Sequence, residues 1–309
     1  MSYNKRLDRA FENAPILPIT PHTRYVFFSD CHRGTGDNND NFLHNSNYYL
    51  AALQHYYLYD FCYIEVGDGD ELWENKSLNQ ISEIHDAIFS LLCKFNCKKH
   101  LYMLYGNHDI VKRYSGFDTC TAKLCDIAIY EALILKSTQI PLDLYVIHGH
   151  QADFLNSVLW RFARFLVRYI WSPLEYFGFN DPTSAAKNNN KKNKIELRLC
   201  NYAKSNNCVL LAGHTHRPTI ADINSPYCNC GSCVHPMCIT CIELCGHKMN
   251  LVKWHESVLT AIPSKTSLHP KSEYPHNYYG EYSPKYPIYV KRELLGTVNL
   301  LNLISSQVV

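Results

Sequence analysis

Five short apolar runs of strand type each stop at a residue whose side chain can bind a metal ion. Arg24–Ser29 stops at Asp30-Cys31-His32, and Phe61–Val66 at Gly67-Asp68. His100–Tyr105 stops at Gly106-Asn107-His108-Asp109, and Leu142–Ile147 at His148-Gly149-His150. Cys208–Ala212 stops at Gly213-His214-Thr215-His216. Helix-like stretches, such as Asn45–Tyr59 and Leu78–Lys94, lie between them. Alternating strands and helices predict an α/β domain. In such sheets, functional groups gather beyond the strand ends, where loops bring them to one point.

The residue types define the chemistry. Asp, Asn and His offer hard oxygen and imidazole nitrogen ligands, a mixture that suits Mn²⁺, Fe or Zn²⁺ without choosing among them. A pair of such ions can neutralise charge on a phosphoryl group and lower the pKa of a water between them. The spacings Asp30-x-His32 and His214-x-His216 put paired ligands on one side of an extended strand end.

Taken in order, D-x-H, G-D-x2-[DE], G-N-H-D, a lone strand-end His and G-H-x-H resemble the calcineurin-like metallophosphoesterase superfamily. Residues 30–216 carry the blocks, the larger part of the chain. The resemblance implies a two-sheet α/β/β/α sandwich and a two-metal phosphohydrolase in which a metal-bound hydroxide attacks phosphorus in line. By the same resemblance, Asp30, His32 and His216 hold one metal and Asn107, His148 and His214 the other, with Asp68 bridging. His108 faces the leaving-group oxygen, with Asp109 as its orienting partner. Manganese is the first expectation for the pair, with Fe or Zn as alternatives. His150 is a second possibility for the ligand at His148, or a substrate contact.

Phe28-Ser29-Asp30-Cys31-His32, Trp73, His148-Gly149-x-x-x-Asp153 and Gly213-His214-Thr215-His216-Arg217-Pro218 are similar to the UDP-2,3-diacylglucosamine pyrophosphohydrolases. The chain departs from that branch at His108 and His150. The resemblance implies a helical cap over a lipid-linked or nucleotide-sugar substrate, here residues 151–207 within a catalytic domain of 1–255. In that insertion Arg161, Arg164 and Arg168 share one face of an amphipathic helix, which suits a lipid phosphate or a peripheral membrane contact through 157–171. A helix packed on the core with its arginines in water is the equal alternative.

Composition trims the remaining readings. With 46% hydrophobic and 19% charged residues the 309-residue chain can bury a sizeable core. A net charge of +2 supplies no field for nucleic acid, and none is expected as a partner. The N-terminus carries no secretory signal pattern and no window resembles a membrane span, so a cytoplasmic protein is expected. Fourteen cysteines are then reduced thiols, six of them between Cys228 and Cys245. Those six either bind zinc through C-x2-C pairs or fill strands that hairpin around Gly246-His247. Asn180–Lys194 reads as an exposed loop, and residues 256–309 as an extension without an assigned role. A protein phosphatase, a cyclic-nucleotide phosphodiesterase and a non-catalytic metal-binding module are the competing functions.

Overall fold

The computed structural model describes residues 1–37, 40–114, 117, 123–124, 127–171, 186, 188–257, 278–281 and 288–304. The five apolar runs become strands β2 (Arg24–Phe28), β3 (Cys62–Val66), β4 (Leu101–Leu104), β7 (Leu144–Ile147) and β8 (Val209–Ala212). They belong to two sheets. β2, β3 and β4 run parallel in the larger one, extended by β5 (Ile129–Tyr130) on one side. On its other side lie β10 (Cys238–Cys245), β11 (Lys248–Ser257), β13 (Ile288–Asn299) and β12 (Tyr278–Glu281), all antiparallel. The smaller sheet has the order β1-β6-β7-β8-β9, adding β1 (Ile16–Ile19), β6 (Ala132–Ser137) and β9 (Tyr227–Asn229).

The sheets pack face to face. Phe27, Ile64, Val66 and Ile242 from the larger sheet meet Leu133, Val146, Val209 and Leu211 from the smaller in one buried cluster. Outside the larger sheet, the helices Ser46–Leu58 and Asp86–Cys97 cover Phe28, Tyr63 and Trp254 with Tyr49, Tyr56, Phe89 and Leu92. Outside the smaller sheet, Tyr3–Glu12 and Asn189–Ser205 contribute Leu7, Phe11, Ile195 and Leu199. Each such buried side chain removes enough apolar surface from water to stabilise the fold by about 1.5–3 kcal/mol. The result is an α/β/β/α sandwich.

Three expectations change. The helix read through Leu78–Lys94 is two, Leu78–Ile84 and Asp86–Cys97, which meet at His85, where a buried pair with Asp40 turns the chain. The loop read over Asn180–Lys194 ends early, because Asn188 caps a helix that starts at Asn189 by accepting the Lys191 N–H; most of 180–187 is outside the described residues. Beyond Trp254, where no role was assigned, β13 pairs along β11 and is anchored by Arg292, whose guanidinium donates two hydrogen bonds to buried Glu243. Within residues 274–289, β12 and the first two residues of β13 are described and the others are outside the described residues.

The cysteine cluster resolves toward packing. Cys228, Cys230, Cys233 and Cys241 are buried thiols spread through the two clusters that flank the larger sheet. Burial pushes the Cys228 thiol up to about 12. Among the described residues, no group of potential metal ligands contains a cysteine. No helix among them is long and apolar enough to cross a membrane.

Candidate metal centre

Beyond the C-terminal ends of β2, β3, β4, β7 and β8, the loops converge where the two sheets meet. The chain does not reach these positions as extended strand. Asp30, His32, Asp68, His214 and His216 all take left-handed backbone, with φ of 54°, 49°, 52°, 66° and 55°. L-residues other than glycine rarely adopt that region, and such strain gathers at functional sites. The paired ligands therefore turn inward through tight loops, which replaces the extended geometry expected from their spacing. The neighbouring glycines make room for this. A Cβ on Gly106 would collide with the Asp68 carboxylate, and one on Gly67, itself at φ 83°, would lie 2.8 Å from the His148 ring.

Two donor groups result. In the first, His216 Nε2 lies 3.1 Å and His32 Nε2 3.8 Å from Asp30 Oδ1, with the two imidazole nitrogens 3.3 Å apart. In the second, His148 Nε2 lies 3.1 Å from Asp68 Oδ2, with His214 alongside. The groups are contiguous, since Asp68 Oδ2 is also 4.0 Å from His32 Nε2 and Asp30 Oδ1 is 4.0 Å from His148 Nε2. Asp68 thus stands between the two sets, and His148 rather than His150 belongs to the second.

The atoms facing inward fit a metal. Asp30 Oδ1, Asn107 Oδ1 and His148 Nε2 are buried and make no hydrogen bond. Buried polar atoms are normally satisfied, and two of these, Asp30 Oδ1 and His148 Nε2, lie 4.0 Å apart, a spacing that suits a shared cation. The opposite atoms of the same side chains are pinned. Asp30 Oδ2 accepts from the Ser29 hydroxyl and the His214 N–H, and Asp68 Oδ1 accepts from the His108 N–H at 2.7 Å. His148 Nδ1 donates to the Val66 carbonyl across the sheets at 2.8 Å, which leaves Nε2 as the nitrogen available to a metal. His214 Nε2 meets Asp153 at 3.4 Å, and Lys191 holds the same carboxylate oxygen at 2.8 Å. Outer partners of this kind fix the tautomer and direction of a ligating imidazole.

Electrostatics follow from the crowding. Burial opposes ionisation of Asp30, but His216 and His148 outweigh it and hold the carboxyl well below its usual range. His148 and His108 do the same for Asp68. Burial pulls the His148 imidazole down, yet Asp68 and Asp30 raise it to about 9, while burial takes His216 down to about 4. Burial, with His148 and His214 beside it, presses His150 well below the usual histidine range. Its ring is buried beside His148 and His214, and it belongs to neither donor group.

The other expected residues divide. His108 Nδ1 lies 2.7 Å from Glu71, whose carboxylate also reaches His32 Nδ1 at 2.9 Å. Burial opposes the Glu71 charge, but His108 and His32 bring its carboxyl down to about 2. Asp109, expected to orient His108, instead accepts from the N–H groups of Gly106, Asp68 and Gly69 and from Lys112 Nζ. It shapes the two ligand loops, and Glu71 orients the histidine. The position of Glu71 three residues past Asp68, as the last residue of the G-D-x2-[DE] block, is the signal available in the sequence. The three arginines do not form one basic face. Arg161 is exposed against the Trp160 ring, Arg164 is half-buried, and Arg168 turns inward to backbone carbonyls.

No protein-family model matches the chain, and no curated protein matches it. Among solved structures, it is similar to Vacuolar Protein Sorting 29 from Cryptosporidium parvum, at 14% identity and a TM-score of 0.35, covering 75% of this chain and 91% of that one. A likeness that low carries no conclusion about family or activity. What stands on the chain's own geometry is a set of His and Asp donors able to hold metal ions on a two-sheet sandwich.

Proposed function

We propose that this chain is a metal-dependent phosphohydrolase of the metallophosphoesterase type, acting on a phosphoester or pyrophosphate. The observation that carries the reading is the pair of contiguous donor groups, with Asp68 of the second 4.0 Å from His32 of the first and the unbonded buried atoms of Asp30 and His148 between them. Asp30, His32 and His216 would hold one divalent cation, Asn107, His148 and His214 a second, and Asp68 both. Such a pair supplies charge neutralisation for phosphoryl oxygens and a water acidic enough to ionise near neutral pH. The order of ligand blocks in the sequence supports the same assignment.

His108 carries the remaining chemistry. Burial would lower its pKa, but Glu71 and Asp68 raise it, which favours the protonated imidazole. Glu71 occupies Nδ1, which leaves Nε2 free to donate to a leaving-group oxygen. A positioned acid of this kind contributes roughly 10²–10⁴ in rate. The presence of this acid beside a full ligand set favours an enzyme over a binding module.

A finer reading concerns the substrate. Phe154, Val158, Leu159, Phe162, Phe165 and Tyr169 are all exposed on the cap, with Arg161 among them. An apolar surface beside the centre that carries one exposed arginine supports a substrate with a lipid-like portion and a peripheral membrane contact. The test is hydrolysis by Mn²⁺-reconstituted protein of an aryl phosphodiester, an aryl monoester, an acylated UDP-sugar, a cyclic nucleotide and a phosphopeptide. Chelator-sensitive cleavage of at least one, restored by metal, is expected, with the acylated UDP-sugar preferred. Cleavage of the others alone removes the lipid reading, and two bound metals with no cleavage of any substrate leaves a binding module.

A further inference from the structure

The turn that follows Asp68 brings two groups onto the His108 ring. Glu71 occupies Nδ1, and the Trp73 indole stacks on the imidazole with centroids 4.4 Å apart and planes 26° from parallel. Trp73 is buried and its Nε1 makes no hydrogen bond. Its place is therefore set by packing and by the backbone of its own turn.

That backbone is held from the cap. Arg168 Nε donates to the Trp73 carbonyl at 2.6 Å, and one terminal nitrogen donates to the carbonyls of Leu72 and Asn75 at 3.1 and 3.2 Å. Three carbonyls of one turn thus converge on one guanidinium, whose planar fork has fixed donor directions that an ammonium lacks. Arg168 itself lies on a π-helical turn, Val167–Trp171, that continues the helix Trp160–Leu166. Such turns are rare and often occur at functional sites. Trp160, Ala163 and Val167 of the same segment pack with Trp73 and Ile110 in one cluster, so contact is continuous from cap to imidazole.

We propose that Arg168 is a positioning residue: by clasping the 72–75 turn it holds Trp73 and, through it, the His108 ring in the orientation that serves the leaving group. The inference rests on the phosphohydrolase reading for its last step, and on the contacts alone for the first.

Two measurements test the two steps separately. In the metal-free protein with labelled histidines, the ring protons of His108, assigned by their loss in His108→Ala, are expected upfield of the other histidines because of the Trp73 ring current. Arg168→Met should move them back toward ordinary positions, and Arg168→Lys should do so in part; an unmoved resonance in both overturns the clasp. With metals bound, Arg168→Met should keep two ions per chain and slow a phenyl phosphoester about tenfold or more, toward the ~10²–10⁴ set by losing the acid, while a p-nitrophenyl ester changes by less than about threefold. The double variant with His108→Ala should be no slower than His108→Ala alone, because both act on one step. Equal losses for both esters, or additive losses in the double variant, overturn the positioning role. A wild-type protein that binds two metals and cleaves neither ester defeats the hydrolase reading, and with it the leaving-group step, while the resonance still decides the clasp.

Discussion

Two buried polar regions lie side by side in this protein and are built on opposite principles. In the donor set, Asp30 Oδ1, Asn107 Oδ1 and His148 Nε2 are buried without a hydrogen bond. Behind it, Glu65, Arg33, Asp70, Lys112 and Asp109 form a ladder in which carboxylates and cations alternate. Arg33 pairs with Glu65 at 2.8 Å and Asp70 at 2.7 Å, and Lys112 pairs with Asp70 at 2.6 Å and Asp109 at 2.7 Å. By composition alone, Glu65, Asp70 and Asp109 could also hold a metal. Arg33 and Lys112 already supply that charge. A buried ion network that completes itself is structural, whereas one that stops short of completion is waiting for a ligand.

Asp68→Asn breaks the unfinished region most deeply. A neutral amide between the two donor groups should drop metal content below two per chain, with affinity lost beyond the ~10–100-fold typical of outer partners. Elemental analysis after dialysis reads this directly, and a retained pair of ions would remove Asp68 from the shared position. His108→Ala makes a narrower cut. Turnover should fall roughly 10²–10⁴-fold with both metals still bound, and unchanged turnover would take His108 out of the mechanism.

The finished region should answer in stability rather than in metal binding. Lys112→Met leaves Asp70 and Asp109 facing each other without their cation, a loss of about 3–5 kcal/mol by urea unfolding of the metal-free protein. A change below about 1 kcal/mol would mean the ladder is looser than its distances indicate.

The smallest effect is a matter of protons. His148, raised to about 9 by Asp68 and Asp30 against its burial, holds a proton at neutral pH in the metal-free protein. A cation must displace it, so binding at pH 7 should release protons and affinity should climb by up to roughly tenfold per pH unit until about pH 9. The linkage in the metal-free fold has the opposite sense, since a raised histidine contributes stability below its unfolded value of 6.5 and loses it as pH rises through about 9. Affinity flat between pH 7 and 9 would contradict the Asp68–His148 pairing.

Much of the centre was legible before any coordinates. Strand runs ending in Asp, Asn and His announce candidate donors because alternating α/β elements bring strand ends together, and the seven residues follow the ends of β2, β3, β4, β7 and β8. The partners of those ligands were harder to read. Glu71 and Asp109 are both acidic and both close in sequence to a ligand, and which one meets His108 depends on the direction each loop takes after its strand. Arg161, Arg164 and Arg168 have helical spacing, but spacing does not say which side the core lies on.

The sequence by itself determined which donor atoms exist, in what order, and at the ends of which strands, because those properties follow from local pattern. Tertiary structure decided the rest. Left-handed turns at Asp30, His32, Asp68, His214 and His216 arise only when strained loops are held by neighbours from both sheets. The pairing of Arg33 with Glu65, of Lys112 with Asp70, and of Arg168 with the 72–75 turn likewise joins residues 32 to 96 positions apart, from Arg33–Glu65 to Arg168–Leu72. No local rule carries charge pairing over that distance. It is fixed only when burial makes an unpaired charge too unfavourable to leave alone.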